Sequence, residues 1–407
     1  MKLFFQSHGM KILMSLLILM PFTIFSDEQH SSKQESVQST ESNKAKHNKR
    51  ARDWGIPFDG IPGQHNAITD VPGVEVGYYT LIQGDGSLVV GKGPIRTGVT
   101  VIMPSGRHKR YLPAAVFSLN GDGELTGSHY INDYGFLGTM IGITNTNSIG
   151  IVRDAIGEWN YKNYSSGGLE DFSFSLPVVG ETWDGDFNDI NGYHVKKEHV
   201  FSAIENARSG PVLEGNVGGG TGMWLYGFKG GSGTASRKIT VADKNYTVGV
   251  FVQANFGQRE ELVIAGVPVG RMITDLQPVF QDGRKDGSII AIVATDAPML
   301  PLYLRLVARR VSLGMARTGT ISGNGSGDIF LAFSTHRTTR NGQLMQLGFI
   351  PKWQLDPIFK ATVEATEEAI INALVAAETM TGANGNIMYG LPEKRVAELL
   401  RLHHRIQ

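Results

Sequence analysis

Asp286-Gly287-Ser288-Ile289-Ile290-Ala291-Ile292-Val293-Ala294-Thr295-Asp296 reads as a buried strand with a small hydroxyl residue at its start. Ile289 to Ala294 is an unbroken apolar, mostly β-branched run that is too short for a helix. It is bounded upstream by Asp282-Gly283 and Asp286-Gly287 and downstream by Pro298. A serine opening such a strand, after a glycine that tolerates unusual backbone angles, is placed for chain scission by an N→O acyl shift. The new chain would begin with Ser288, whose α-amine is a base built onto its own nucleophile. Such amines titrate near pH ~7.7–8.0 in model peptides. Read in isolation, Gly-Ser before a strand is usually just a turn.

Around this strand lie 407 residues with 38 basic and 38 acidic side chains and a formal net charge of zero. That balance points to neither nucleic acid nor an anionic membrane surface as a partner. The length suits one large domain or two ordinary ones. The 51 glycines sit in short loops between apolar runs, as expected of many tight turns. The chain has no cysteine, which excludes disulfides, a lipid-modified cysteine, thiol catalysis and thiolate metal sites.

Lys2 and Lys11 precede the apolar stretch Ile12 to Phe25, which has the length of a signal h-region and is short for a membrane span. Residues 1–26 are therefore expected to be a signal peptide cut near Ser26, with an uncleaved membrane anchor as the alternative. Residues 27–50 are polar and rich in Ser, Gln, Lys and His, the composition of a disordered tether. A periplasmic or secreted location follows from this reading.

Further along, Ile68 to Tyr78 alternates like a half-buried strand after a Pro-Gly turn. Val99 to Met103, closed by Pro104, and Ala114 to Leu119, followed by the turn Asn120-Gly121-Asp122-Gly123, read as strands, as does Val248 to Val252. Helical spacing marks Ser148 to Trp159, Lys196 to Arg208 and Leu302 to Met315. Ile329 to Phe333 is another strand; Asp356-Pro357 predicts a helix start with a carboxylate cap, running to about Met380. Glu393 to about Leu402 is the last helix. Apolar strands alternating with amphipathic helices in both halves predict an α/β or α+β layered core.

A serine amidase needs a nucleophile, a base, an oxyanion donor and a means of substrate recognition. Ser288 supplies the first two once the chain is cut. In Asn324-Gly325-Ser326-Gly327-Asp328, at the mouth of a predicted strand, Ser326 is placed to relay or orient the Ser288 proton, and Asp328 to orient Ser326 or to hold an ammonium. The plainer alternative is an Asn-Gly turn with a solvated acid. Asn255, just past the strand Val248 to Val252, is either a turn residue or an amide donor to a developing oxyanion. Glu181 is either a surface acid or a carboxylate for a substrate's free amine, and Trp183 reads as a pocket wall. Val217 to Gly222 is glycine-rich but lacks the Lys-Ser/Thr of a phosphate loop. Asp184 to Val195 begins like a calcium loop but has Asp189 where glycine belongs and ends without glutamate. No histidine spacing commends a metal site, so neither metal nor cofactor is expected.

Several of these stretches together resemble one family. DGSIIAIVATDAPMLP, RTGTISGNGSGDIFLAFST, NAITDVPGVEVGY, SLPVVGETWDG and VQANFG are similar, in order, to the DmpA/BapA family of S58 serine aminopeptidases, and the resemblance runs from about Trp54 to the end. It implies a four-layered αββα sandwich, with residues 51–407 forming one catalytic domain cut into an α chain ending at Gly287 and a β chain starting at Ser288. It also implies that Ser326 and Asp328 work with the nucleophile, that Asn255 is the oxyanion donor and that Glu181 anchors the substrate amine. Some members carry glutamate where Asp328 stands, and tyrosine where Trp183 stands; an indole cannot act as that hydroxyl does. The expected substrate is a small peptide or amino-acid amide, and the expected assembly is a homo-oligomer of α/β heterodimers. No membrane contact is expected once the signal is removed. An acyl transferase of the ornithine acetyltransferase type, whose nucleophile is threonine, and a non-catalytic secreted binding protein are the competing readings.

Overall fold

A computed structural model describes residues 49–108, 110–164, 175–280, 287–341 and 343–407. The expected signal peptide, nearly all of the expected tether, and Asp282, Gly283 and Asp286 lie outside the described residues.

In chain order the elements used below begin with β1 (Glu75–Gln83), β2 (Ile95–Arg107), β3 (Leu112–Gly121), β4 (Phe136–Leu137) and β5 (Ile141–Asn145). Then follow α1 (Ile149–Tyr164), β6 (Val178–Thr182), α2 (Lys197–Glu205), β7 (Ser232–Val241) and β8 (Lys244–Asn255). The last elements are β9 (Ser288–Thr295), α3 (Pro301–Arg317), β10 (Gly327–Ser334), α4 (Asp356–Val375) and α5 (Glu393–Leu402). One sheet of four strands has the order β1-β2-β5-β6, and one of six has the order β4-β3-β10-β9-β8-β7.

The alternation along β9 explains how the layers stack. Ile289, Ala291 and Val293 point into a core shared with Leu304, Val307 and Val311 of α3 and Ala361 and Ala365 of α4. Ile290, Ile292 and Ala294 point the other way, into a core shared with Ile102, Ile141 and Val178 of the four-stranded sheet. The outer face of that sheet packs Val99, Val101 and Val179 against Val152 and Ile156 of α1 and Val200 and Ile204 of α2. Helices, sheet, sheet, helices: the chain is the expected four-layered αββα sandwich. A strand buried on both faces has no polar face to present, which is why β9 reads as an unbroken apolar run.

Several element bounds differ from expectation for identifiable reasons. β2 continues through Pro104, because its pairing with β1 ends at Met103 and the missing N–H breaks no ladder bond. β3 likewise runs to Gly121, through the expected turn, because β10 pairs with it as far as Gly121. Ile68–Asp70 is a short 3-10 turn, and the strand expected there begins only at Glu75. α2 stops at Glu205 since Arg208 leaves to exchange backbone hydrogen bonds with Val76. Asp356 is the first residue of α4 and not its cap; a 3-10 turn, Lys352–Gln354, leads into it with Leu355 already helical. α4 ends at Val375 because the chain then turns to pair Met380–Thr381 with Ile387–Met388.

One buried ionic cluster ties the six-stranded sheet to α4. Glu368, fully buried, accepts from Arg237 of β7 at 2.7 Å, from Arg52 at 2.7 Å and from the Asn66 amide at 2.5 Å. Burial alone would raise its pKa, but these partners outweigh it and hold the carboxyl below its ordinary value. Removing one partner of such a cluster strands buried charge, which typically costs about 3–5 kcal/mol. Glu368→Ala is therefore expected to lower the unfolding free energy by about 3–5 kcal/mol in urea or guanidinium titration; a loss below 1 kcal/mol, roughly that of an exposed pair, would contradict this account.

Candidate active site

The site forms where three strands of the six-stranded sheet begin or end at one level. Asn255, the last residue of β8, is directly across the antiparallel ladder from Ser288, the first of β9. On the other side Ser288 is in parallel register with Gly327, the first of β10. Ser288 shares the face of Ile290 and Ile292, and so looks toward the four-stranded sheet. Asn255 is thus a strand residue and not a loop residue past the strand. Gly287 has to be glycine: a Cβ there would lie 2.6 Å from the Asn255 carbonyl oxygen and 2.7 Å from Phe256 Cα.

Between the two sheets opens a cavity of about 340 Å³ lined by Ser288, Gly287, Glu181, Thr146, Trp183 and Asp122, among others. Ser288 and Glu181, 107 positions apart in the chain (288 − 181), therefore face one space. Glu181 sits near the end of β6, in register with Thr144 of β5. It is buried, so it is not the surface acid its sequence context also allowed. One oxygen accepts the Glu124 N–H at 3.0 Å and the other accepts the Thr146 hydroxyl. Burial pushes its pKa up, the two hydrogen bonds pull it down, and the neighbouring Glu124 and Asp122 carboxylates push it up again. Three acids around one cavity make a site whose electrostatics favour a cation. The loop that brings Asp122 and Glu124 here passes so closely that a Cβ on Gly123 would lie 3.0 Å from Gly327 Cα and 3.2 Å from Glu181 Oε1.

Asn255 is held at both ends of its amide. Its Oδ1 accepts the Trp224 N–H at 3.1 Å, and its Nδ2 donates to the Trp183 carbonyl at 3.0 Å. Both partners are backbone groups of fixed polarity, which settles which way the amide points. An amide nitrogen carries two N–H groups, so one remains for a group beside Ser288. Trp183 lines the cavity, and its ring lies where a Cβ on Gly185 would come within 2.3 Å of it.

Ser326 donates to Asp328 Oδ1 at 2.6 Å. The other Asp328 oxygen accepts the Ser322 hydroxyl and the Asn120 amide, the latter at 3.2 Å. Asp328 is fully buried and not a solvated turn acid. Burial raises its pKa, and the hydroxyls of Ser322 and Ser326 with the Asn120 amide oppose that rise. Sequence reasoning missed Thr146, Glu124, Asp122, Asn120 and Ser322 as parts of this site. The first four lie on loops or strand ends distant in the chain, with no motif to announce them. Ser322 did carry a structural peculiarity, a positive φ of 56°, but that is invisible in sequence.

The glycine-rich Val217 to Gly222 is a packing turn: a Cβ on Gly219 would lie 2.2 Å from Gln253 Oε1 and 2.6 Å from the Ile143 carbonyl oxygen. Among the described residues, no group of three or more His, Cys, Asp or Glu is arranged to hold a metal ion.

A strand-opening serine in an αββα sandwich, facing a cavity with a buried carboxylate, defines a hydrolase of the N-terminal-nucleophile fold. The solved L-aminopeptidase D-Ala-esterase/amidase of Ochrobactrum anthropi, described as a prototype for the serine aminopeptidases and a variant of that fold, superposes with a TM-score of 0.82 at 43% identity, covering 88% of this chain and 99% of its own. The family model of Peptidase family S58 matches residues 66–388, and the chain belongs to that family; it is an aminopeptidase. It is 48% identical over 373 residues to the β-peptidyl aminopeptidase BapA of Sphingosinicella microcystinivorans, spanning 88% of this chain and 93% of that protein. It is 46% identical over 368 residues to the β-peptidyl aminopeptidase BapA of Sphingosinicella xenopeptidilytica, spanning 86% and 91%.

The raised pKa of Glu181 has a consequence for stability. A carboxyl whose folded pKa lies above its unfolded value favours folding only while protonated, and that contribution is lost as pH rises through the folded pKa. Above that folded pKa the desolvated Glu181 carboxylate therefore burdens the empty protein. Glu181→Gln is expected to unfold at a higher temperature than the parent at pH 7, with the difference shrinking as pH falls. A lower melting temperature for the variant at pH 7 would contradict the assignment.

Proposed function

We propose that the chain cuts itself between Gly287 and Ser288 and then releases N-terminal residues from small peptides and amino-acid amides through an acyl-enzyme on Ser288. The observation that carries this reading is that Ser288 and the buried carboxylate Glu181 line one cavity. A nucleophile paired with a cation site recognises substrates whose reactive carbonyl stands at a fixed distance from a free ammonium, which is the description of an aminopeptidase substrate.

In the uncut chain the Gly287 carbonyl accepts the Gly327 N–H at 3.0 Å. That bond polarises the carbonyl toward attack by Ser288 Oγ. The N→O shift makes an ester, and water then yields a Gly287 carboxylate and a Ser288 α-amine. In turnover, Glu181 holds the substrate's ammonium while Ser288 Oγ attacks the first carbonyl carbon. The hydroxyl proton passes to the α-amine, and from there to the departing amine as the scissile C–N bond breaks. Asn255 donates its second N–H to the tetrahedral oxyanion, a type of contact whose loss costs about 2.7–4 kcal/mol. Ser326, fixed by Asp328, orients the proton transfer. Water attacks the acyl-enzyme by the reverse route and frees the acid.

The names of the Sphingosinicella relatives support N-terminal β-amino acids as the preferred acyl group. Lys2 and Lys11 ahead of the apolar Ile12 to Phe25 support export to the periplasm or medium; assembly of several α/β units rests on the family resemblance alone.

Intact mass and N-terminal sequencing of the purified protein, beside Ser288→Ala, test the reading. The parent is expected to yield a fragment beginning Ser-Ile-Ile-Ala, and the variant to remain whole. If both stay whole while folded, Ser288 is not the nucleophile. In the processed protein, Glu181→Gln should lower kcat/KM on an amino-acid p-nitroanilide by about 100-fold or more, the scale of a desolvated charge pair, without blocking processing.

A further inference from the structure

Behind the oxyanion donor lies a charge that the mechanism above does not use. Lys229 is fully buried, and its ammonium donates to the carbonyl of Met223 and, at 2.8 Å, to that of Gly230. The Met223 carbonyl belongs to the same peptide group as the Trp224 N–H, and that N–H donates to Asn255 Oδ1 at 3.1 Å. A continuous line of donors and acceptors therefore runs from the Lys229 ammonium, through one peptide and one side-chain amide, to the Asn255 N–H beside Ser288.

The fold builds this line on purpose-shaped backbone. Trp224 and Lys229 face each other across a tight hairpin in which Leu225 pairs with Phe228. Its two turn residues, Tyr226 and Gly227, both have positive φ, at 53° and 65°, the geometry of a two-residue loop that matches strand twist. The Lys229 backbone is fixed as well, donating to the Tyr389 carbonyl at 2.8 Å.

We propose that Lys229 is a positioning residue of the oxyanion site, its ammonium holding the Met223–Trp224 peptide and polarising it so that Asn255 is both fixed in orientation and strengthened as a donor. This rests on the reading of Ser288 and Asn255 given above. Hydrogen bonds in series polarise one another, and a low-dielectric interior preserves the effect. Each amide in the line has its negative end toward the ammonium and its positive end away from it, so negative charge developing beside the Asn255 N–H meets a field already set up by the ammonium. Burial pushes Lys229 down to about 7, and the Asp184 carboxylate acts against that fall. Asp184, next in the chain to Trp183, is itself buried and pushed up to about 7 by burial, with the Asn188 amide donating to it at 3.0 Å. The acid coupled to Lys229 thus belongs to the segment that supplies the other backbone partner of Asn255.

Lys229→Met keeps the length and removes the charge. Two inhibitors separate its role from a merely structural one: (2-aminopropyl)boronic acid and 3-aminobutan-1-ol. The boronic acid takes up Ser288 Oγ, whose proton moves to the α-amine, leaving a tetrahedral anion at the oxyanion position. The alcohol presents the same ammonium to Glu181 without that anion. In processed Lys229→Met, boronate affinity and kcat on 3-aminobutanoyl p-nitroanilide are expected to fall about 10- to 100-fold, less than the ~10²–10³ that loss of a direct donor costs. KM and affinity for the alcohol should stay within about twofold. In an Asn255→Ala background the same substitution should cost almost nothing further. Unchanged boronate affinity, or an equal loss for both inhibitors, overturns the proposal. A parent enzyme that the boronate does not inhibit and that Ser288→Ala does not inactivate overturns the nucleophile reading, and this inference with it. Should Lys229→Met fail to fold or process, 15N NMR of lysine-labelled parent decides: a slowly exchanging buried ammonium that shifts on boronate binding supports the proposal, and its absence overturns it.

Discussion

The backbone ladder on either side of β9 is the constraint on which the site depends. An antiparallel partner on one side and a parallel partner on the other bring Asn255, Ser288 and Gly327 to one level. Each residue is the terminal one of its strand, so the Asn255 and Ser288 side chains are held as firmly as core residues yet stand at the rim, next to a cavity. Sites on regular elements hold their geometry more closely than sites on loops. A one-residue slip of β9 would turn Ser288 toward the helices and Ile289 toward the cavity; the apolar residues on both faces of β9 resist that slip.

The second sheet contributes the charge. Glu181 comes from β6, across the sheet-to-sheet core, while the Asp122–Glu124 loop closes over it from the end of β3. On the proposed reading, recognition and chemistry lie in different layers, and the spacing between layers would set the distance from ammonium to carbonyl. Buried polar groups here are satisfied mostly by backbone: Glu124 N–H for Glu181, Trp224 N–H and Trp183 carbonyl for Asn255. Backbone partners do not rotate away, which suits a site that must be ready before substrate arrives.

Much of this was legible in the sequence, and the limits are physical. The β9 run, its serine and the helices α1, α3, α4 and α5 were readable because periodicity and composition are local. The four-layer stacking and the roles of Asn255, Glu181, Ser326 and Asp328 came from family resemblance; the residues alone left each of them a plainer reading. What stayed hidden was long-range. Asn120 meets Asp328 208 positions away in the chain, and nothing near either residue encodes that meeting. Boundaries failed where tertiary pairing overrode local signals, as at Pro104, which looks like a stop but falls where the ladder no longer needs an N–H.

The order of strands in the larger sheet carries a further consequence. β10 and β9 sit between β3 and β8, so the segment after Ser288 supplies the middle of a sheet whose flanks belong to the segment before it. A break at Gly287–Ser288 leaves two polypeptides that cannot part without rupturing a ladder on each side. Before the break, reaching this state is a one-molecule event; afterwards, any return from the separated pieces requires an encounter and depends on concentration. The proposed cut would thus turn a reversible folding equilibrium into a one-way passage. Once made, the two-piece enzyme would persist by the slowness of its opening, and the uncut chain would act as the template that the finished molecule no longer carries.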